Sequence, residues 1–181
     1  DSPTEDSWGA AEARLLYLSL RDVERLGVSE TEVGAAIEAL FLEKGAGRVE
    51  APPKLGVHPG GESFLHAMPA HVPCLRATGV KWVGVVPANP ARGLPQVSGL
   101  ILVNDPDTAL PVAVLDAGWV TAQRTAAASR LAAKHLARSG ATRVGILGCG
   151  AQGRSHLTAL CAQLGVEEAV AYDPSSAART K

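Results

Sequence analysis

Three glycines, Gly148, Gly150 and Gly153, close an apolar run and open a helix-like segment in "VGILGCGAQGRSH". In a G-x-G-x-x-G turn the first glycine permits the bend and the second lets the backbone approach a pyrophosphate. The third lets the helix pack closely on its strand. The N–H groups around Gly150, Ala151, Gln152 and Gly153 would meet an anion where the helix dipole favours one. An acid, Asp173, ends the next strand-like run, 20 residues after Gly153. A carboxylate there accepts hydrogen bonds from the ribose hydroxyls and repels a 2′-phosphate, which points to NAD rather than NADP. Arg179, close downstream, works against that discrimination. A tight turn without a ligand, and an acid that caps the turn before Pro174, stand as the plain alternatives.

A second group of residues is cationic. Lys81 lies in "GVKWVGVV", where strand alternation puts it on one face with Val83 and Val85, and Trp82 and Gly84 on the other. Both faces are apolar, so the ammonium either meets an anion or snorkels to water from an edge strand. Arg124 falls three residues after Thr121, read here as a helix N-cap. A cation in a first turn opposes the helix dipole unless an anion binds there; an exposed surface arginine is the alternative. Lys54, in the extended "APPK" segment, could converge with both. His66 and His71 flank Met68 and could line a cleft with it, whereas His135 and His156 read as helix-surface residues.

These residues need elements to hold them. "RLLYLS" (14–19) is a short strand candidate. Ser19 with Asp22, and Ser29 with Glu32, are capping boxes. The first opens a short helix stopped by Gly27. The second opens a helix of about four turns with Val33, Ile37, Leu40 and Phe41 on one face, ending near Gly45. The Pro/Gly-rich stretch 51–73 is expected to run as loops around one short strand, 63–68. "TGVKWVGVV" is a strand, and "SGLILVNDPDTALPVAVLDAG" reads as two strands joined in a hairpin. From Thr121 the alanine-rich "TAQRTAAASRLAAKHLARSG" is a helix that Gly140 terminates. Strand 142–147, helix 151–164 and strand 168–172 then form a β-α-β unit with parallel strands.

The fold class is thus α/β: an α+β domain over 1–128, then the start of a Rossmann dinucleotide-binding domain over 129–181. The 181 residues are 46% hydrophobic and carry a net charge of −1, enough apolar content for a core. No basic stripe suggests nucleic acid, and no apolar run is long enough to span a bilayer. The three cysteines have no metal or redox spacing, so no metal is expected and a cytoplasmic setting is. The opening "DSPTEDSWG" has no periodicity and is expected to fray.

Taken together, "HAMPAH", "GVKWVGVVPANPARGLP", "TAQRTAAASRLAAKHLA" and "ILGCGAQGRSH", in this order, resemble the ornithine cyclodeaminase/μ-crystallin family from about residue 14 onward. The resemblance implies a substrate-binding and dimerisation domain ahead of a Rossmann domain, and a homodimer. It also implies NAD chemistry at the α-carbon of an amino acid or its imine. Lys54, Lys81 and Arg124 match the family's carboxylate-binding cations, with Lys81 also the catalytic candidate and Met68 a further substrate contact. Lys54 stands where many members have arginine, and Ala109 replaces a glycine common in the hairpin turn. His66 replaces a glutamate of the cyclodeaminases, which argues for dehydrogenation over cyclodeamination. Several stretches look most like members that oxidise a glutamate adduct of 2,3-diaminopropionate, releasing 2-oxoglutarate. Members are much longer, so the chain is expected to stop inside the Rossmann domain, with the family's catalytic aspartate beyond Lys181.

Overall fold

The computed structural model describes residues 14–180. The stretch expected to fray, residues 1–9, lies outside them. Six strands form one mixed sheet in the order β1-β6-β5-β4-β3-β2. They are β1 (Leu16–Leu18), β2 (Leu55–Gly60), β3 (Ser63–Val72), β4 (Ala77–Val85), β5 (Val97–Asn104) and β6 (Pro111–Asp116). β1 pairs parallel with β6, and the other neighbours pair antiparallel. Between β1 and β2 lie α1 (Leu20–Arg25) and α2 (Glu30–Gly45). Both capping boxes form: the hydroxyl of Ser19 accepts from the Asp22 N–H, and that of Ser29 from the Glu32 N–H.

The Pro/Gly-rich stretch departs from the expectation of loops. It carries β2 and a ten-residue β3 in place of one short strand. Pro59 is tolerated because β2 is an edge strand with an irregular register between Val57 and Gly60. Pro69 is tolerated for a different reason. His71 exchanges backbone bonds with Glu50 on the β2 side of β3, so position 69, two residues away, faces that same side. β2 stops pairing at Leu55 opposite Ala67, so the missing N–H of Pro69 leaves no ladder bond unmade.

The long helix α3 (Gly118–Leu136) follows β6 and starts earlier than its sequence suggests. Thr121 is not its N-cap. Ala117 occupies that position, and Asp116 Oδ1 accepts from the Gly118 N–H at 2.6 Å. The side chain of the last strand residue thus does the capping, and the Thr121 N–H bonds the Ala117 carbonyl as an ordinary helical residue. The helix also ends at Leu136, short of Gly140, which turns the following loop at a φ of 70°. On α2 the buried residue is Gly34, whereas Phe41 is exposed rather than part of a buried face. A Cβ on Gly34 would meet the guanidinium of Arg130 on α3, so the end of that side chain lies over bare backbone there.

Beyond α3 come β7 (Arg143–Leu147), α4 (Ala151–Gln163), β8 (Glu168–Tyr172) and a short α5 (Ser176–Arg179). β7 and β8 pair in parallel with α4 between them, the expected β-α-β unit. Ala126 and Ala127 of α3 and Ala159 of α4 are buried, small side chains that bring the helices together. Among the described residues, no helix is long and apolar enough to cross a membrane.

Candidate dinucleotide turn and cationic cleft

Strand pairing sets the first half of the site. Met68 pairs with Lys81 across β3 and β4, and Lys81 pairs with Ile101 on β5. Extending the β2–β3 register by one step from Leu55 and Ala67 puts Lys54 across from Met68. Lys54, Met68 and Lys81 therefore form one row over three strands, with the thioether between the two ammonium stems. Val83, next along on the same face, is buried, while Trp82 on the opposite face is exposed.

β4 is an interior strand, so the edge-strand account of Lys81 fails. Lys81 is half-buried. Burial first, and the Arg124 guanidinium second, lower the affinity of its amine for the proton. Two cations thus share one space, and among the described residues neither has a hydrogen-bond or ion-pair partner. Arg124 is exposed and is the seventh residue of α3, in its second turn, so the argument from the helix dipole does not apply to it. What singles it out is its neighbour. Close to it, Thr121 Oγ1 is buried with no hydrogen-bond partner in the structure.

The glycine turn is the second half. Gly148 has a φ of 98°, a conformation that side chains disfavour, and its N–H bonds the Tyr172 carbonyl at 2.7 Å. A Cβ on Gly153 would sit 1.8 Å from the Gly148 carbonyl oxygen, so helix and turn touch there. A Cβ on Gly150 would meet nothing within 4 Å. Gly150 is the N-cap of α4 and has no side chain to satisfy the first N–H groups, which include those of Ala151, Gln152 and Gly153. Free donors, a positive helix end and open space are what a pyrophosphate requires, so this turn fits a dinucleotide.

Asp173 serves that turn directly. Its Oδ2 accepts the Cys149 N–H at 2.9 Å, and its Oδ1 accepts the Ser175 N–H at 2.8 Å. Those bonds, that from Cys149 first, hold its carboxyl below the usual carboxylate range against desolvation, with a lesser contribution from the Arg179 charge. Arg179 bonds the Asp173 carbonyl. The capping role proposed as the plain alternative is thus present, and each oxygen keeps a lone pair for a further donor. Sequence reasoning missed Arg154, whose Nη1 donates to the Cys149 carbonyl at 2.9 Å. Its signal was a cation immediately after the third glycine. Lys54 is exposed, as is His71's neighbour Pro69; His71 itself bonds Thr78 Oγ1 at 2.7 Å and belongs to the other sheet face. His135 is exposed, and His156 bonds the Gln152 carbonyl within α4, as helix residues do.

The profile of the ornithine cyclodeaminase/mu-crystallin family matches residues 15–181. The N-((2S)-2-amino-2-carboxyethyl)-L-glutamate dehydrogenase of Staphylococcus aureus is 36% identical over 91% of this chain and 52% of its own length. Among solved structures, an archaeal alanine dehydrogenase dimer with bound NAD is 38% identical with a TM-score of 0.86. The match covers 92% of this chain and 51% of that one. The Thermococcus litoralis Δ1-pyrroline-2-carboxylate reductase, in complex with NADH and L-proline, is 37% identical with a TM-score of 0.88. Here 91% of this chain and 51% of that one are covered. The chain spans about half the length of the curated relatives it matches.

Proposed function

The chain belongs to the ornithine cyclodeaminase/mu-crystallin family, and on that premise we propose that the whole protein is an NAD-dependent dehydrogenase acting at the C–N bond of an N-substituted amino acid. Residues 1–128 form the substrate-binding and dimerisation domain, and residues 129–181 the first part of the dinucleotide-binding domain. The observation that carries the reading is the half-buried Lys81 beside Arg124, with no acid among the described residues to balance either. Two like charges held side by side, one of them half-buried, favour a counter-charge, and an α-carboxylate supplies it. Support for the cofactor comes from the free N–H groups and open space at Gly150 and from the NAD- and NADH-bound neighbours.

The nicotinamide, when bound, supplies the hydride acceptor. The chain's own residues do the rest. Arg124 offers a planar fork to the α-carboxylate and Lys81 a point charge, which together fix the α-carbon. Lys54 and Met68 complete the floor. Gly148, Gly150, Ala151, Gln152 and Gly153 hold the pyrophosphate, and the remaining lone pairs of Asp173 take the ribose hydroxyls. Loss of hydride from the α-carbon and of a proton from the amine leaves an imine, which water splits into a 2-oxo acid and a free amine.

Lys54 and Lys81 on one sheet face, with Arg124 beside Lys81, favour a substrate rich in carboxylates, and a glutamate adduct of 2,3-diaminopropionate carries three. The relative from Staphylococcus aureus, whose name gives this substrate, supports that choice. Incubating the full-length protein with NAD and the adduct should yield NADH and 2-oxoglutarate in equal amounts. Turnover of ornithine to proline and ammonia with the adduct inert would replace this reading by cyclodeamination. NADH formed from alanine alone would replace it by alanine dehydrogenation.

The face of the sheet opposite Lys81 supports a homodimer. Leu55, Ala67, Trp82 and Leu100 pair in sequence across four strands, and Leu55, Trp82 and Leu100 are 74%, 43% and 44% exposed. An apolar row of this kind needs cover, and a second copy of the chain provides it. Trp82→Glu should convert the dimer to monomer in analytical ultracentrifugation.

A further inference from the structure

Two further basic side chains, His66 and His58, adjoin the Lys54 end of the Lys54–Met68–Lys81 row. His66 pairs with Gly56 across β2 and β3, and with Val83 across β4, so it stands one step along the same sheet face from Met68. A Cβ on Gly56 would fall 2.4 Å from the His66 ring, so the imidazole lies over bare backbone. Phe64 stacks on it at 4.3 Å between ring centroids, and His58 meets it edge-on at 6.5 Å. The ring is therefore gripped from three sides. Lys54, two residues before Gly56 on the β2 side, lies beside this group, with Met68 between it and Lys81.

The charges acting on His66 are all positive. Desolvation first, then Lys54, then His58 lower its affinity for a proton, and among the described residues no acid offsets them. An imidazole packed this firmly in a basic corner has a site's rigidity and lacks only the anion. From the row, spacing of about 4.8 Å between strands puts Lys54 roughly 10 Å from Lys81. That separation suits a molecule with carboxylates at both ends.

We propose that His66, His58 and Lys54 form a second anion subsite, which takes the distal carboxylate of a dicarboxylic amino-acid substrate while Lys81 and Arg124 hold the α-carboxylate. The inference deepens the function proposed above and rests on its placement of the α-carboxylate. A carboxylate bound here would favour the protonated form of His66, so its affinity should rise as the pH falls.

The test is calorimetric titration of the full-length, NAD-loaded protein with glutarate and with butyrate, neither of which can be oxidised at an amine. Glutarate should bind at least tenfold tighter than butyrate, and more so at pH 6 than at pH 8. The His66→Gln and His58→Gln variants should lose that preference and its pH dependence while binding butyrate as the parent does. Equal binding of the two acids by the parent, or a preference that survives both substitutions, would overturn the subsite. A glutarate preference in a protein that does not oxidise the diaminopropionate adduct would keep the subsite and remove only the reaction.

Discussion

The backbone N–H of Cys149 donates to Asp173 Oδ2 at 2.9 Å, so the acid that ends β8 ties down the middle of the glycine turn. Asp173 is therefore an anchor of the turn as well as the ribose ligand proposed above. Replacing it by alanine should loosen the turn and weaken NAD and NADP together, while weakening NAD more, because only NAD has a free 2′-hydroxyl for the proposed ribose contact to lose. Asp173→Asn keeps one acceptor oxygen and should retain most of the turn. Fluorescence titration of both nucleotides should show NAD affinity falling by roughly tenfold or more in the alanine variant. NADP affinity that rises above the parent's would mean that Asp173 acts by repelling the 2′-phosphate alone.

The three glycines should fail in different ways. Gly153→Ala places a methyl group 1.8 Å from the Gly148 carbonyl oxygen, a clash with backbone that α4 escapes only by moving off β7. Its melting temperature should fall. Gly150 has open space around it, so Gly150→Val should melt like the parent and still lose nucleotide binding. Calorimetry with and without NAD separates the two. Normal NAD binding by Gly150→Val would place the pyrophosphate elsewhere.

Arg154 reaches back from α4 to the Cys149 carbonyl, so the same residue is held by Asp173 at its N–H and by Arg154 at its oxygen. Arg154→Met keeps the stem and removes the donor. NAD binding should weaken by roughly tenfold, the worth of one charge-assisted hydrogen bond, with secondary structure unchanged by circular dichroism. An unchanged dissociation constant would make the bond a surface ornament of the helix.

Much of this was legible in the sequence, and the exceptions have physical causes. The capping boxes at Ser19 and Ser29, the strand around Lys81 and the β-α-β unit follow from local patterns that tertiary packing did not oppose. β2 and the full length of β3 were hidden because prolines speak against strands, and only the edge position of β2 and the direction in which position 69 faces make them harmless. The start of α3 was misplaced because its cap belongs to Asp116, two residues before the helix, so Thr121 looked like the nearest capping residue. That shift removed the dipole argument for Arg124. The better reason, its proximity to Lys81, depends on helix α3 lying over the sheet, which no local pattern records. Asp173 showed its spacing but not its hydrogen bonds to Cys149 and Ser175.

Ala109 holds a φ of 60° in the β5–β6 turn, where its N–H bonds the Asp105 carbonyl and its own carbonyl accepts from Asn104 Nδ2. A side chain in the left-handed region costs about 1 kcal/mol, and glycine's greater freedom in the unfolded chain returns part of that. Ala109→Gly should therefore stabilise by roughly 0.5 kcal/mol, seen as a small rise in the denaturation midpoint with an unchanged slope. A lower midpoint would mean that the turn relaxes to accept alanine without strain.

Lys81 should show a conflict between stability and binding. Its amine holds a proton less tightly in the folded protein than its ordinary value of 10.5 implies, because of partial burial first and Arg124 second. The unfolded chain therefore binds more protons between the lowered value and 10.5, and stability gained from deprotonation rises with pH across that window. Below it the folded protein carries a charged, half-buried amine that no described acid offsets. Lys81→Met removes that charge while keeping the stem's packing against Met68 and Ile101. The discount for solvent screening leaves about 1 kcal/mol, or roughly 2–4 °C of melting temperature at neutral pH. The gain should shrink as the pH approaches 10.5, where the parent's lysine sheds its proton in any case. The same variant should lose at least roughly tenfold in affinity for an α-carboxylate. Scanning calorimetry from pH 7 to pH 10 on the full-length protein, with carboxylate titrations beside it, measures both. A variant that melts lower than the parent at neutral pH would show that Lys81 has a stabilising partner and is not reserved for substrate.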